Sequence, residues 1–551
     1  MPGDDMRCGV LLVSTAMFRS PVETEFAADL RRVRPELADP YRAALPAARV
    51  AVLARLWRGL CIDPLPRITC RCQRGIETVI TLAGGRRMVG PTRFWGFSEP
   101  PPDLTISLDG HPYDHPAELL AALRWPEAAR LEAEVAHSVA GLALARAGAA
   151  SLGRPAIAFA HQKLEAHEQS VVDGHRLHPC CRNRTGFRAE DHLAYGPEHR
   201  PVVALDLLAV PAGGCVVHGA WPDELRAADK LLIPIHPWQS AHVLSRHGLA
   251  PYALGALLAR PLMALRTLAP IGLPWQVKTA LSTQLTSAVR DISGDSIRSS
   301  VAVSTFLREA FGRLGGGLRL QSTRAAAAVL INGEPHPDLG VVLRDCLVAD
   351  LRPDETVLPV GALTARPPNG GCPPLCALAA GEPVAWLADF VALAVPPLLT
   401  LLAWGIALEA HEQNLLLVMA ERRARRLVYR DLADIRICST RLETAGLSCP
   451  AIPNRMRASS AELRAKLFAT FFATTMAGLV TTLAKHADSK RLWDAVEIGI
   501  RQTYASLPHT PATQADQWAL LNDPIPTKPL TLMRLNPSTA LWAYQPNPFA
   551  G

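Results

Sequence analysis

The stretch Leu408-Glu409-Ala410-His411-Glu412-Gln413-Asn414-Leu415-Leu416-Leu417-Val418-Met419, followed by Leu427-Val428-Tyr429-Arg430-Asp431-Leu432, decides the reading of this chain. Two apolar runs rich in Val, Leu and Tyr flank the basic polar run from Glu421 to Arg426, the pattern of a β-hairpin or of two adjacent strands. Polar groups fall at the ends of the runs: His411, Gln413 and Asn414 enter the first strand and Asp431 leaves the second. Donors, acceptors and a carboxylate are thereby brought close together on a rigid support. Magnesium-nucleotide sites use such parts, because Mg²⁺ takes one or two carboxylate oxygens plus phosphates and water. The same spacing also fits a solvated hairpin end with an incidental Asp, so the hairpin alone leaves both readings open.

The rest of the chain bounds the choice. Its 551 residues exceed one ordinary core and predict two or three domains. A 49% hydrophobic and 19% charged composition is that of a globular protein. The net charge of +7, from 57 basic and 50 acidic residues, suits anionic small molecules. No Lys/Arg block interleaved with aromatics occurs, so no nucleic-acid partner is expected. Cys70-Arg71-Cys72, Cys180-Cys181 and Cys372 to Cys376 are the only close cysteine groups among twelve cysteines; none has the paired spacing of a zinc site, and reduced thiols are expected. Asp4 and Asp5 stand where a signal peptide would be basic, and Val10 to Met17 is a short apolar run without a clear cleavage site. Phe390 to Leu408 is long and uncharged enough to span a membrane, but Pro396-Pro397, Asp389 and the polar cluster that follows predict a buried core helix, broken or begun at the prolines. A cytoplasmic protein without a membrane partner is the expectation.

Three zones follow along the chain. Residues 1–150 read as a helical part, with helices over Pro46–Leu60 and Pro116–Ala149 and strands between Thr69 and Gly90 around a Gly84-Gly85 turn. Residues 151–375 alternate strand-like runs, such as Val202–Val210 and Lys230–Ile235, with turn-rich connections, ending at the linker Pro367–Pro374. Residues 376–551 are mostly helical around the hairpin; the helix Ser460–Lys485 carries its own N-terminal signal in Ser459-Ser460-Ala461-Glu462.

Two further polar concentrations lie in the middle zone. The segment from Asp173 to Phe187 packs His175, His178, Arg176, Arg182 and Arg184 into one loop, a donor density suited to carboxylate or phosphate, though a solvated basic loop would look similar. His236-Pro237-Trp238-Gln239 follows a strand end, where His236 and Gln239 could line a pocket. From Lys278 to Arg290 the chain alternates apolar and polar residues; a continuous strand would put Lys278, Ser282, Thr286 and Arg290 on one face, a row fit for a polyphosphate or polycarboxylate. No G-x-x-x-x-G-K-[ST], no G-x-G-x-x-G after a strand and no G-x-S-x-G occurs. An ATP enzyme with this sequence lies outside the common nucleotide-binding signatures.

Taken in order, these motifs resemble the IucA/IucC family of ATP-dependent siderophore synthetases that work without a nonribosomal peptide template. The resemblance rests on Gly174–Pro179 with Arg182, Arg184 and Gly186, on Ile233–Gln239, on Lys278–Arg290, on Glu409–Asn414 with Arg430-Asp431, and on Lys528–Leu535 before Asn547-Pro548, and covers about residues 130 to 551. It implies an α+β, three-part cupped hand: a helical thumb (1–150), β-containing fingers (151–375) and a mostly helical, FhuF-like palm (376–551). It implies adenylation of a carboxylate of citrate or a related polycarboxylic acid by ATP with Mg²⁺, then attack by a small amine, amino acid or amino alcohol to give an amide or ester, AMP and pyrophosphate. A citryl monoamide or 2-oxoglutarate is an alternative acid, and a homodimer is the implied assembly. Carried over position by position, Ser282, Thr286, Ser287, Ala288, Arg290, His411, Gln413, Asn414 and Asp431 would hold the nucleotide, Asp431 and Glu409 the metal, and His175, His178, Arg182, Arg184, His236 and Gln239 the substrate. Arg290, His411 and Lys278 would be catalytic.

Three positions depart from the family pattern: Arg182 stands where Lys is usual, Asp291 where Thr is usual, and Glu412 where a small residue is common. Strand alternation predicts that Glu412 points outward. A kinase-like phosphotransferase would share the His/Asn and Asp placement but lacks the glycine-rich loop. A non-catalytic siderophore-binding or ferric-siderophore-reducing protein is the other alternative; reductases of the FhuF kind carry C-terminal cysteines for an iron–sulfur cluster, whereas the last cysteine here is Cys449.

Overall fold

In the computed structural model, residues 18–92, 100–152, 163–347, 351–367, 370–538 and 542–550 are described. The apolar run Val10–Met17, and Pro368 and Asn369 of the linker, lie outside them. The N-terminal helix Pro21–Val33 begins at Ser20, whose hydroxyl accepts the Glu23 N–H, with Pro21 in the first turn where a missing donor costs nothing. Helices Ala38–Ile62 and Ala129–Ser151 pack together through Leu53, Leu56, Leu60, Val139 and Leu142, all fully buried. The helix expected from Pro116 to Ala149 is split: Pro116–Leu123 ends at left-handed Arg124, and a single 3₁₀ turn at Pro126–Ala128 starts the next helix. The strands expected before Gly90 form an antiparallel meander, β1 (Ile68–Arg74), β2 (Glu77–Leu82), β3 (Arg87–Pro91), β4 (Ile106–Leu108) and β5 (His111–Tyr113).

The middle of the chain builds a nine-stranded antiparallel sheet. Its strands are β6 (Val203–Pro211), β7 (Cys215–Gly219), β8 (Arg226–Ala227), β9 (Lys230–Ile235), β10 (Ala253–Pro261), β11 (Thr267–Pro270), β12 (Trp275–Thr279), β16 (Thr323–Ile331) and β17 (Glu334–Asp345), in the order β7-β16-β17-β12-β11-β10-β6-β9-β8. The continuous strand expected from Lys278 to Arg290 does not form. The chain leaves the sheet after Thr279 and makes a separate hairpin of β13 (Leu281–Leu285) and β14 (Ala288–Arg290). The hairpin is closed by the tight turn at Thr286, held at φ +50°, a conformation that alternation cannot reveal.

In the C-terminal part, β15 (Leu318–Leu320), β18 (Glu355–Pro359), β20 (Leu415–Ala420) and β21 (Arg423–Tyr429) form a sheet in the order β15-β21-β20-β18, and β19 (Ile406–Ala407) lies apart from it. The β20–β21 hairpin read from the sequence is present. Its turn residues Glu421 and Arg422 both have positive φ, +49° and +65°, the backbone whose twist matches a two-residue hairpin. Helix Pro383–Ala403 is a core helix, but it runs unbroken through Pro396 and Pro397. Burial of Phe390, Val391, Ala394, Val395, Leu398 and Leu399 in the C-terminal core offsets the lost backbone bonds. Ser459 and Glu462 form a reciprocal cap on helix Ser460–Leu467. That helix continues as a π-helical segment, Phe468–Met476, and then as helix Ala477–Leu483.

Three large cores fill an α+β fold: one within the N-terminal helices and meander, one on the nine-stranded sheet, and one between the C-terminal helices and hairpin. They interlock. Leu532 from the C-terminal tail is buried in the N-terminal core, and Val303, Phe306 and Leu307 of helix Gly294–Gly312 are buried in the C-terminal one. The tail is fixed there by Arg534, whose Nε donates to Glu134 at 2.8 Å, and by Asp63, which accepts the N–H groups of Thr531 and Leu532. Removing Arg534 leaves the buried Glu134 carboxylate with the half-exposed Arg130, at 3.0 Å, as its remaining charged partner. Arg534→Ala should therefore lose about 3–5 kcal/mol in urea unfolding, and Arg534→Met with Glu134→Leu should recover most of it. Equal losses in both variants would show that the pair does not carry this docking.

Candidate active site

The site assembles where the nine-stranded sheet meets the end of the β20–β21 hairpin. Asp431, the second residue past β21, is held at φ +70°. Its carboxylate receives both Lys278 Nζ contacts, at 2.8 and 2.9 Å, from β12 and lies 3.3 Å from the Arg344 guanidinium on β17. The buried Tyr429 hydroxyl accepts the Glu409 N–H and donates to the Asp431 carbonyl, each at 3.1 Å, so one phenol sets both carboxylate-bearing segments. Burial would raise the Asp431 carboxyl, but Lys278 and Arg344 hold it far below the usual carboxylate range. Burial pulls the Lys278 ammonium down to about 7 despite Asp431, with Arg266 and Arg344 pushing the same way. The Asp431 side chain remains 30% open, so water screens part of this field.

Glu409 forms the second half. Its Oε1 accepts from Lys528 Nζ at 2.6 Å and from Lys466 Nζ at 3.3 Å, and His411 Nε2 lies 3.7 Å from its other oxygen. Lys466 also bonds Asp434. Against burial, Lys528 and Lys466 keep Glu409 well below its ordinary value. The loop carrying Glu409 and His411 is gripped by the π-helical segment: Thr470 Oγ1 accepts the Ala410 N–H at 3.2 Å and Thr475 Oγ1 donates to the Ala410 carbonyl at 2.8 Å. π-turns recur at functional sites because they re-aim side chains inside an otherwise regular helix. Arg430 clamps the other end, donating to both Glu168 oxygens (2.6 and 3.0 Å) and to the Gln413 carbonyl. Asn414 is buried, with Nδ2 on the Glu409 carbonyl.

The loop from Asp173 to Phe187 contributes two histidines. His178 Nδ1 accepts the Cys180 N–H at 2.9 Å, which leaves the proton of the neutral ring on Nε2, 3.0 Å from Ser287 Oγ. His175 and His411 have the same local lock, with Nδ1 accepting the N–H two residues on. Burial of the site, then cationic neighbours, lower His178 and His175; His175 is open to the cleft, so its surroundings are partly aqueous. Arg290, at the end of β14, donates to Thr286 Oγ1 at 2.6 Å and lies in the field of Glu409 and Asp431. Six cations (Arg266, Lys278, Arg290, Arg344, Lys466 and Lys528) thus face four carboxylates (Asp291, Glu409, Asp431 and Asp434). A cavity of about 80 Å³ opens beside Lys278, Arg344 and Asp431, lined also by Ser296, Ser299 and Thr323.

Other residues named from the sequence are placed elsewhere. Arg182 and Arg184 converge on the buried Glu198, and Arg182 also donates to the Val171 and Val172 carbonyls; both guanidiniums are engaged inside the fold. Gln239 clamps the β13 backbone, donating to Ser282 Oγ and the Asp338 carbonyl and accepting the Ser282 N–H, all at 2.8 Å. Ser282 itself donates to Asp338 at 2.7 Å, away from Lys278. His236 is fully buried, its Nδ1 accepting the Trp238 N–H. Glu412 does not point outward. It accepts from Thr364 Oγ1 at 3.2 Å and lines a cavity of about 650 Å³ that also touches Arg176, Arg55 and Arg58 of helix Ala38–Ile62, and Thr482. Burial raises its carboxyl, with Arg176 opposing. The alternation argument failed because residues 409–414 precede β20 and are not strand. Arg266, Arg344, Lys466 and Lys528 were not among the residues picked out. Only Lys528 lay in a quoted motif, and distance in sequence concealed the rest.

Both carboxylates proposed as metal ligands are occupied by ammonium groups, Asp431 by Lys278 and Glu409 by Lys528. This donor set does not fit a resident magnesium ion. A metal arriving with a polyphosphate would first have to displace a lysine.

Two family models match parts of this chain. Residues 163–365 match the IucA / IucC family model, and residues 384–541 match the model described as ferric iron reductase FhuF-like transporter. A 2-[(L-alanin-3-ylcarbamoyl)methyl]-3-(2-aminoethylcarbamoyl)-2-hydroxypropanoate synthase of Staphylococcus aureus is 24% identical over 316 residues, 49% of this chain and 51% of that protein. The rhizobactin siderophore biosynthesis protein RhbF of Rhizobium meliloti is 31% identical over 274 residues, 44% of this chain and 45% of that one. The chain thus spans about half the length of these curated relatives. The ATP-bound aerobactin synthetase IucA of Klebsiella pneumoniae superposes with a TM-score of 0.73 at 19% identity, covering 91% of this chain and 99% of that one. The fold is therefore that of these synthetases.

The buried histidines set a pH dependence. Burial holds His137, His167 and His199 down to about 4 and His236 to about 3. Each takes up a proton on unfolding, so the stability they contribute is complete above about pH 6.5 and is lost as pH falls through about 4. Asp63, pushed up to about 6 by burial, acts in the opposite sense, stabilising at low pH and ceasing to as pH rises through 6. Burial raises Asp191, Asp291 and Glu412 in the same sense as Asp63, and lowers His175, His178, His192 and His411 in the same sense as the four histidines above, so eight histidines outweigh four carboxyls. Urea midpoints should fall steadily from pH 7 to pH 4, and a midpoint that rose below pH 6 would contradict this balance.

Proposed function

We infer that this member of the IucA/IucC family is an ATP-dependent ligase that activates a carboxylate of citrate, or of a related polycarboxylic acid, and joins it to an amine. The single observation that carries this reading is the excess of cations, six against four carboxylates, at one joint of the fold. Two polyanions, a nucleoside triphosphate and a tricarboxylate, repel each other in water, and fixed cations remove that penalty before reaction. Support comes from the ATP-bound structural neighbour and from the product named for the Staphylococcus aureus relative, a 2-hydroxypropanoate with two carbamoyl arms, the citrate skeleton carrying two amides.

In this reading Lys278, Arg344 and Arg290 receive the triphosphate. A carboxylate oxygen attacks the α-phosphorus, the bond to the β-phosphate oxygen breaks, and pyrophosphate leaves. Lys528 and Lys466 offset the charge of the remaining carboxylates. Ser287, with the His178 Nε2–H on its hydroxyl, lies against the same path. The amine nitrogen then attacks the acyl carbon and AMP leaves, while the amine's proton passes to solvent or a nearby carboxylate. We place the amine in the 650 Å³ cavity, against Glu412, which offers it a charge-assisted hydrogen bond within a lining rich in arginine (Arg55, Arg58, Arg146, Arg176 and Arg366). The boundaries near 150 and 375, the homodimer and a cytoplasmic location belong to the same proposal.

Incubation with ATP, Mg²⁺, citrate and a panel of diamines should release AMP and pyrophosphate, with an amide detected by mass spectrometry. ADP as the nucleotide product would replace this reading with the phosphotransferase one. Asp431→Ala should lower turnover by about 10²-fold or more while leaving the circular dichroism spectrum intact, because Lys278 loses its anchor. Glu412→Gln should raise KM for a diamine about tenfold with little change for citrate or ATP, one charge-assisted hydrogen bond being worth about 1.5–3 kcal/mol. An unchanged amine KM would move the nucleophile out of this cavity.

A further inference from the structure

We propose that Cys372, Cys376 and His486 form a zinc site at the rim of the large cavity. One ligand atom from each lies within 4.8 Å of the others, and Cys372 Sγ is 4.0 Å from His486 Nε2. Tetrahedral zinc with Zn–S near 2.3 Å and Zn–N near 2.0 Å puts its ligand atoms about 3.5–3.8 Å apart, so closing on the ion takes about 1.3 Å at most at any contact.

The supports are local and stiff. Pro373 and Pro374 separate the two cysteines, Cys376 lies on the short helix Pro374–Leu378, and its N–H donates to the Pro373 carbonyl at 3.0 Å. His486 sits in the turn after helix Ala477–Leu483, its N–H on the Leu483 carbonyl at 2.8 Å. Cys376 is buried whereas Cys372 and His486 are exposed, which gives one fixed ligand and two within reach of an incoming ion. Two thiolates and an imidazole are a soft donor set that favours zinc over magnesium or calcium and leaves a fourth position for water. Cysteines four apart, with the histidine 110 residues on, match no linear zinc signature, so only the folded chain brings the three together.

The other group of this kind, His247, His336 and Asp338, differs: Asp338 already accepts from Ser282 on one oxygen and contacts His247 on the other. At the Cys/Cys/His group the ion would tie helix Pro374–Leu378 to the end of helix Ala477–Leu483. Pro373 and Lys485, next to two of the ligands, line the cavity, so the ion would also fix part of its rim.

The test uses the full chain, reduced and stripped with a chelator, titrated with Co²⁺ as a spectroscopic probe and then with Zn²⁺. The expected result is one equivalent of tetrahedral cobalt with thiolate-to-metal charge-transfer absorption, displaced by zinc, and a zinc-dependent rise in melting temperature. Cys372→Ser and His486→Ala, both exposed changes that leave the core intact, should each weaken binding at least 100-fold and abolish the shift in melting temperature. Absence of thiolate-bound cobalt at one equivalent, binding unchanged in both variants, or formation of a Cys372–Cys376 disulfide in preference to metal binding would each overturn the site.

Discussion

The pairing of Asp431 with Lys278 and Arg344 is the contact on which the arrangement depends. It is where two separately built sheets meet, β12 and β17 supplying the cations and the end of β21 the carboxylate. A buried or half-buried ion pair adds little net stability, because desolvation cancels much of the Coulomb attraction. Its contribution here is positional. Asp431 accepts a left-handed backbone, which costs a non-glycine residue about 1–3 kcal/mol, and that turn points its carboxylate back across the joint. Any ligand that competes for Lys278 therefore acts on the relation between the sheets as well as on one side chain.

Around that joint, rigidity comes from backbone capture and not from the reactive groups themselves. Thr470 and Thr475 hold the loop before β20, Tyr429 ties Glu409 to Asp431, and Arg430 fixes Gln413 against Glu168. The histidines are held in the same way. In His175, His178 and His411 the Nδ1 atom is consumed by a backbone N–H two residues on, so each neutral ring presents an Nε2–H donor. Such a ring can donate to a phosphate or carboxylate oxygen without carrying charge, which limits electrostatic crowding in a site already rich in cations.

What was legible in the sequence was local. The β20–β21 hairpin, strand Lys230–Ile235 and the capping box at Ser459 each follow from a periodicity or a short motif, and all are present. What was not legible required knowing where the period stops. One left-handed residue, Thr286, folds the expected Lys278–Arg290 row into a hairpin, so the two cations reach the site from different strands. Glu412 was read by strand alternation in a segment that is loop. Arg182 and Arg184 look like anion ligands in sequence because nothing local reveals Glu198, which neutralises them. Arg344, on β17, and Arg266, in the turn before β11, carried no signal, since a lone arginine gains meaning only from what faces it.

Both cavities are rich in cations, and this constrains the proposed chemistry. The cationic joint repels an ammonium group as strongly as it attracts phosphate. In the proposed reaction a protonated amine therefore needs a carboxylate of its own; of the two that line the large cavity, Asp173 is paired with Arg146, and Glu412, among Arg55, Arg58 and Arg176, is the other. Burial raises the Glu412 carboxyl, so the residue is a better proton acceptor than an ordinary surface glutamate. An amine must lose a proton before it can attack an acyl carbon. A carboxylate that binds the cation and is itself basic can thus both recruit the amine and ease its deprotonation, while the lysine-bound Asp431 and Glu409, held far below their ordinary values, cannot. The carboxylate at position 412 thus gives the proposed amine one anionic contact in a cavity otherwise lined by arginines.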